Sequence, residues 1–112
     1  DAAYKVHTAL GPGLLESVYE ACVAYELRKQ NLLVETQVSL PVKYEDVTVK
    51  AGLRLDMWVE KKVIVEFKVV QTMIPLYEAQ LLTYLKLTEN RLGFLMNFNV
   101  KRLKRGITRM VH

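Results

Sequence analysis

The segment Val63 to Val70 constrains this chain more than any other, because it is an apolar run that only two charged residues interrupt. Such a run is typical of a central β-strand that is buried on both faces. Glu66 and Lys68 are two residues apart, so both side chains lie on the same face of the predicted strand. An unpaired buried charge costs several kcal/mol or more. The two charges therefore need a compensating group, and a metal ion is the leading candidate.

The preceding residues complete a predicted β-hairpin, whose register decides where its acidic side chains lie. A three-residue loop at 60–62 places Asp56 directly opposite Glu66, with about 5 Å between their Cβ atoms, whereas a two-residue loop places them on opposite faces. The three-residue loop is favoured because it places the apolar side chains of both strands on one face. These are Leu53, Leu55, Met57, Val59, Val63, Val65, Phe67 and Val69. The other face then carries Arg54, Asp56, Trp58, Glu66 and Lys68. Since two facing carboxylates repel each other, this register requires a cation or a proton between them.

Length and cysteine content predict one domain spanning residues 1–112, in a reducing compartment. A chain of 112 residues suits a single modest core. It starts at Asp1 rather than Met and enters helix-like sequence at once, so we expect a natural N-terminus that extends further. No stretch is apolar enough to span a bilayer and no signal peptide is visible. Together with the single Cys22, these features predict a soluble, cytoplasmic protein.

The basic residues are concentrated near the C-terminus, although the net charge is only +4. The segment 101–109 contains no acid and five basic residues: Lys101, Arg102, Lys104, Arg105 and Arg109. A local surplus of this kind is typical of a surface that contacts a phosphate backbone. A solvated basic surface without a partner explains it equally well.

Hydrophobic periodicity predicts an α/β or α+β domain with a mixed sheet, in the order helix, two or three strands, helix, strand. Predicted helices cover 2–10, 14–30 and 76–87, and predicted strands cover 34–44, 47–50, the two arms of the hairpin, 91–98 and 107–111. The second helix repeats apolar residues at helical spacing: Leu14, Val18, Cys22 and Tyr25. The third carries Leu81, Leu82 and Leu85 toward a core. The strand 91–98 is apolar on both faces and should be internal, with 107–111 at an edge.

Four motifs, in order along the chain, resemble a known family. The segment 13–19, Gly-Leu-Leu-Glu-Ser-Val-Tyr, is similar to the signature of the GxxExxY proteins, small prokaryotic proteins of the PD-(D/E)XK nuclease superfamily. Asp56 and the segment 66–68, Glu-Phe-Lys, resemble the acid and (D/E)-x-K elements of that superfamily. The segment 80–84, Gln-Leu-Leu-Thr-Tyr, resembles the Q-x-x-x-Y motif of its RecB-like branch. E-x-K alone is a weak signal, but four ordered motifs over nearly the whole chain are a strong one.

The resemblance implies a restriction-endonuclease-like core, with a mixed central sheet flanked by helices, and a metal site within it. Asp56 and Glu66 would bind Mg²⁺ or Mn²⁺ through the hard oxygen ligands that these ions prefer. The backbone carbonyl of Phe67 and the side chain of Glu16 would complete or support this metal site. One position departs from the family pattern, since Leu55 rather than proline precedes Asp56.

The resemblance also implies roles for three residues around the metal. Lys68 would orient or deprotonate the attacking water. Gln80 and Tyr84, four residues apart on the third helix, would hold Lys68 or a substrate phosphate by hydrogen bonds.

Several of these residues have ordinary structural explanations as well. Asp56, Glu66 and Lys68 could form a structural ion pair, and a glutamate such as Glu16 near a helix start favours the helix dipole. Tyr19 could be a core aromatic with a satisfied hydroxyl, as could Tyr84.

Two further residues have a functional and a structural interpretation. His7 could be an additional metal ligand or base, as a histidine is in some RecB-like nucleases, or a histidine on a helix surface. Trp58 could stack on a nucleobase or pack at a sheet edge.

The function that the sequence favours is hydrolysis of phosphodiester bonds in DNA by a metal-dependent nuclease. A non-catalytic nucleic-acid-binding or protein-interaction module with the same fold is the alternative, with binding through the segment 101–109. Processing of RNA or nucleotides by the same site would look identical in sequence. Since so small a domain has little surface for enclosing a duplex, we expect a homodimer.

Overall fold

Three helices and one five-stranded sheet make up the computed structural model, which describes residues 1–112. The helices are α1 Ala2–Leu10, α2 Glu16–Lys29 and α3 Pro75–Thr88. The strands are β1 Val34–Tyr44, β2 Val47–Val59, β3 Val63–Lys68, β4 Leu92–Asn97 and β5 Ile107–Val111, with a 3-10 turn at Leu103–Arg105. The predicted strand 47–50 is therefore the first part of one long strand, β2.

The sheet is mixed, and its strands follow the chain order β1-β2-β3-β4-β5. Only β3 and β4 are parallel, because α3 provides the crossover that a parallel pair requires. The other neighbours are antiparallel, β4 is internal and β5 forms an edge. This arrangement confirms the predicted α+β class with a restriction-endonuclease-like mixed sheet. No helix has both the length and the apolar character needed to cross a membrane.

Helices cover the sheet on both faces. Residues of α1 and α2 pack on one face with Val65 and Phe67 of β3, whereas α3 packs on the other face with Ile64. Leu81 and Leu85 of α3 are fully buried as predicted, but Leu82 is 38% exposed. β3 therefore contributes to both cores, as its nearly continuous apolar sequence predicts.

Of the residues whose spacing predicts α2, only Cys22 packs against the core. Val18 is 36% exposed and Tyr25 is 62% exposed, while the buried residues are Tyr19, Val23 and Ala24. Leu14, which set the predicted spacing, lies before the first residue of the helix. Tyr19 is buried because its hydroxyl finds partners in the protein, a condition that hydrophobic spacing does not reveal.

The register of the β2–β3 hairpin is confirmed, but its predicted apolar face is not. The pair Val59–Val63 closes a loop of three residues, 60–62. However, Leu55 packs in the core on the α3 side and Met57 packs in the opposite core. Two residues of one strand that are two positions apart should share a face, so the strand changes face at Asp56.

Gln37 accounts for this change of face. Regular pairing of β1 with β2 is interrupted at Gln37 and Asp56, between the pairs Thr36–Met57 and Val38–Leu55. Gln37 adopts φ 52°, a left-handed conformation that non-glycine residues seldom occupy. Both strands turn over together at this point. The side chain of Asp56 therefore does not follow the regular alternation of side chains between the two faces of the sheet.

Candidate active site at the end of the β2–β3 ladder

Asp56 and Glu66 interlock where the main-chain pairing of β2 with β3 ends. The last regular pair is Met57–Val65. Beyond it, the main-chain N–H of Asp56 donates to Glu66 Oε2 at 2.9 Å, and the N–H of Phe67 donates to Asp56 Oδ2 at 2.9 Å. Each carboxylate thus replaces a main-chain acceptor of the opposite strand. The predicted juxtaposition of the two acids is therefore present, and one oxygen of each carboxylate accepts no hydrogen bond from the protein.

The acid pair is electrostatically unfavourable when both groups are ionised. Glu66 is only 5% exposed. Burial, followed by the neighbouring charge of Asp56, raises the pKa of Glu66 from 4.5 to about 8, although the Asp56 N–H and Lys68 oppose this shift. Glu66 therefore holds a proton at neutral pH unless a cation takes its place.

Two glutamates of α2 lie close enough to the acid pair to feel the charge of Asp56. Burial raises the pKa of Glu16, and the charge of Asp56 raises it further while Lys68 lowers it. Burial also raises the pKa of Glu20, whose Oε2 accepts a hydrogen bond from Gln37 Nε2 at 2.8 Å. Negative charge is thus concentrated around Asp56, which favours a cation there.

Lys68 is the last residue of β3 and is half-buried. Its Nζ lies 4.4 Å from the centroid of the Tyr77 ring, a cation–π contact. It forms no salt bridge with Asp56 or Glu66, because the three salt bridges of the chain involve other lysines. The alternative of an ordinary structural ion pair is therefore wrong, and the ammonium group remains available for other partners.

Of the two residues predicted on α3, Tyr84 lies near the acids and Gln80 lies at the surface. Tyr84 is half-buried, and burial raises its pKa, as do the charges of Glu66 and Asp56. Gln80 is exposed and forms no side-chain hydrogen bond within the chain. Tyr77 is not among the residues predicted from the sequence. Its helical spacing from Gln80 and Tyr84 is the signal that could have identified it.

Oxygen ligands suited to a divalent cation are present, but only two of them are held together. No group of three or more His, Cys, Asp or Glu side chains lies close enough to hold a metal ion. Asp56 and Glu66 alone interlock, and each has a carboxylate oxygen that is free of protein hydrogen bonds. The mutual repulsion of these carboxylates and their hard oxygen donors fit Mg²⁺ or Mn²⁺.

Tyr19, the last residue of the segment 13–19, has a structural role. Its ring is fully buried and stacks on Phe98 with centroids 4.5 Å apart. Its hydroxyl donates to the carbonyl of Gly11 at 2.6 Å and accepts from the N–H of Leu14 at 3.1 Å. These two bonds fix the loop between α1 and α2, and hence the position at which α2 begins with Glu16.

We expect Tyr19→Phe to lower the free energy of unfolding by about 1–3 kcal/mol, since the carbonyl of Gly11 and the N–H of Leu14 would lose their partner in a partly buried loop. Urea unfolding at neutral pH measures this difference. Tyr25→Phe is the matched control, because Tyr25 is 62% exposed and its hydroxyl forms no hydrogen bond within the chain. Equal stability of the two variants would contradict the role assigned to the Tyr19 hydroxyl.

His7 and Trp58 are both structural. His7 is 6% exposed rather than on the helix surface, and its Nε2–H donates to the carbonyl of Val100 at 2.7 Å. It ties α1 to the segment that follows β4. Trp58 packs in the core on the α3 side, and its Nε1–H donates to Asn90 Oδ1 at 3.1 Å. The packing interpretation of Trp58 therefore holds.

The basic residues of the segment 101–105 lie on an anchored loop. Lys101, Arg102, Lys104 and Arg105 are exposed around the 3-10 turn, while Leu103 between them is buried. Gly106 closes the loop, because a Cβ atom there would lie 2.1 Å from the carbonyl oxygen of Asn97. A cleft of about 440 Å³ separates this loop from α1. The loop thus presents four cations to solvent in a fixed arrangement.

Asn97 is a further structural residue near Lys68 that the sequence does not single out for this role. Its side chain accepts from the N–H of Val70 at 3.2 Å and donates to the carbonyl of Val70 at 2.9 Å. It thereby joins the chain just beyond β3 to the end of β4, next to Lys68. The signal in the sequence was an amide that ends an apolar strand.

One family model matches almost the whole chain. Its description is PD-(D/E)XK nuclease superfamily, and it covers residues 1–110. The comparison with curated proteins and the comparison with solved structures each gave no match.

Proposed function

The chain belongs to the PD-(D/E)XK nuclease superfamily, and from this premise we propose that it is a metal-dependent nuclease that hydrolyses phosphodiester bonds in DNA. The observation that carries the proposal is the interlocked pair of Asp56 and Glu66 at the end of the ladder, with Lys68 on the same strand. Hydrolysis of a phosphodiester needs a positioned water, a cation and a nearby donor. These residues supply groups suited to each requirement.

Within the superfamily, we assign the chain to the GxxExxY proteins and to the RecB-like branch. The first assignment rests on the segment 13–19, in which the Tyr19 hydroxyl fixes the loop ahead of Glu16. The second rests on Gln80 and Tyr84, which α3 presents one turn apart. We also propose that residues 1–112 form one nuclease-like domain.

The cation would be held by Asp56 and Glu66, with the backbone carbonyl of Phe67 and the side chain of Glu16 in support. When bound, a divalent cation neutralises negative charge on the phosphoryl oxygens of the substrate. The protein keeps the two carboxylates in place through their bonds to main-chain N–H groups. A cation between them also removes the repulsion that otherwise keeps Glu66 protonated.

Lys68 would orient the attacking water through its ammonium group, and it would take up the proton of that water once it has lost one of its own to solvent. The Tyr77 ring holds the ammonium group in position without neutralising it. Tyr84 would donate a hydrogen bond to a phosphate oxygen near the acid pair, and Gln80 would contact the substrate from the rim. The loop residues Lys101, Arg102, Lys104 and Arg105 would contact the phosphate backbone away from the reacting bond.

A cleavage assay and a metal titration test this function together. Duplex DNA should be cleaved with Mn²⁺ or Mg²⁺ and remain intact in a chelator. In calorimetric titrations with Mn²⁺, Asp56→Asn should bind at least about 10-fold more weakly than the wild type, because the amide retains an acceptor for the Phe67 N–H but loses the charge. Asp46→Asn, in the exposed β1–β2 turn, is the matched control. Equal Mn²⁺ affinity of Asp56→Asn and the wild type would remove the metal site from the proposal.

A second candidate function is a non-catalytic nucleic-acid-binding or protein-interaction module. The exposed and anchored cations at 101–105 favour it, because they need no metal to attract a phosphate backbone. This function predicts salt-sensitive binding without metal-dependent cleavage.

A homodimer is proposed in either case, because one copy has little surface with which to enclose a duplex. Sedimentation equilibrium, with and without DNA, measures the number of copies.

A further inference from the structure

β1 and β2 extend beyond the acid pair as a two-stranded arm. Pairing between β2 and β3 stops at Met57–Val65, whereas pairing between β1 and β2 continues to Tyr44–Val47. We call residues 38–55 the arm. It begins beside Asp56 and leads away from the acid pair, and most of its outer residues are exposed. An isolated two-stranded hairpin is marginally stable in water. A partner that binds this extension would therefore stabilise it.

The two faces of the arm differ in chemistry. The pairs Val42–Val49 and Tyr44–Val47 place apolar side chains on the face that continues the α3 side of the sheet. The pairs Lys43–Thr48 and Ser39–Arg54 lie on the opposite face. This opposite face, the polar face, carries Ser39, Lys43, Thr48 and Arg54, with Lys50 in the shift of register between the pairs and the acids Glu45 and Asp46 confined to the turn at the tip.

The three cations of the polar face have no partner within the chain. Lys43, Lys50 and Arg54 are exposed, form no salt bridge and donate no side-chain hydrogen bond. Arg54 is also close to the site: burial raises the pKa of Glu20 and that of Tyr84, and the charge of Arg54 partly offsets both shifts. Since Arg54 precedes Asp56 by only two residues on β2, the polar face begins beside the acid pair.

We propose that the polar face of the arm binds the phosphate backbone of duplex DNA beside the bond to be cleaved. The inference rests on the proposed function, and it adds a surface distinct from the loop 101–105. At about 3.3 Å per residue, Arg54 lies roughly 7 Å along β2 from Asp56, and Lys43 lies roughly 20 Å along β1 from Gln37, the residue opposite Asp56. That length corresponds to about six base pairs of duplex. Cations and hydroxyl groups along the face, with acids only in the turn at its tip, are complementary to phosphates.

The double variant Lys43→Gln/Lys50→Gln tests this surface. Binding of a labelled duplex is measured by fluorescence anisotropy in a chelator, across a series of salt concentrations. We expect binding at low salt to weaken by about tenfold, and the slope of log K against log salt to become shallower by about 1.8 for two lost phosphate contacts. Lys62→Gln/Lys86→Gln is the matched control, since it removes the same charge from exposed positions outside the arm and should retain wild-type binding.

The outcomes separate this inference from the proposed function. A selective loss of binding in the arm variant, with no cleavage by the wild type in Mn²⁺, would support the surface and overturn the nuclease. Normal cleavage with unchanged binding by the arm variant would overturn the surface alone. Equal weakening in both double variants, equal binding of duplex RNA, or absence of binding by the wild type would also overturn it.

Discussion

In a metal-free buffer at pH 8, the Glu66→Gln protein is expected to unfold at a higher urea concentration than the wild type. Burial and the charge of Asp56 raise the pKa of Glu66 from 4.5 to about 8 in the folded protein. Between these two values the folded state holds one more proton than the unfolded state. The stability of the wild type therefore falls as the pH rises through this interval, by up to about 1.4 kcal/mol per pH unit.

Glutamine reproduces the protonated state of Glu66 and does not titrate. Its amide oxygen can accept the Asp56 N–H and its amide NH₂ can donate to the Asp56 carboxylate. The stability difference between Glu66→Gln and the wild type should be small at pH 5 and reach several kcal/mol at pH 8. Urea unfolding at four pH values between 5 and 8 measures it. Glu45→Gln, in an exposed turn, should follow the wild-type curve, and a parallel curve for Glu66→Gln would contradict the assignment.

A divalent cation should reverse this destabilisation in the wild type only. Mn²⁺ at about 100 times its dissociation constant adds about 2.7 kcal/mol to the free energy of unfolding. Glu66→Gln lacks one of the two carboxylates proposed to hold the ion, so its stability at pH 8 should change much less. A similar gain in both proteins would place the bound ion elsewhere.

The relation between Asp56 and Glu66 could be predicted from the sequence because it depends on a period of two. A hairpin centred on Lys61 fixes which residues oppose each other, and the structure has that register. Strand periodicity could not predict that Leu55 and Met57 would enter different cores. That outcome depends on the left-handed conformation of Gln37, which no apolar pattern encodes. The same change of face lets Asp56 reach the N–H of Phe67.

At other positions, the sequence does not show which polar side chains are buried. His7 is buried, which the helix-surface interpretation does not predict, and Tyr25, one of the residues at helical spacing in α2, is exposed. A buried histidine needs a partner, and the partner of His7 is the carbonyl of Val100, 93 residues away in the chain. Contacts at that separation follow from the complete topology rather than from local sequence. Parallel pairing of β3 with β4 places Asn97 beside Lys68 in the same way.

Lys68→Met is expected to lower the rate of DNA cleavage by about 10²–10⁴-fold, the range typical for loss of a general acid or base. Lys68 ends β3 on the strand that carries Glu66, and its ammonium group contacts the Tyr77 ring and forms no salt bridge with a carboxylate. Methionine keeps an unbranched side chain over that ring, so the packing should be preserved. The expected loss is therefore chemical and not structural.

Mn²⁺ binding distinguishes this role from a structural one. Removal of a positive charge near Asp56 and Glu66 should leave Mn²⁺ affinity unchanged or make it tighter, whereas a collapsed site would lose both affinity and cleavage. Calorimetry and a single-turnover cleavage assay on the same protein samples measure the two quantities. Lys86→Met, on the exposed surface of α3, should match the wild type in both. Cleavage by Lys68→Met within about twofold of the wild type would exclude Lys68 from proton transfer, and joint loss of cleavage and Mn²⁺ binding would make it a structural residue.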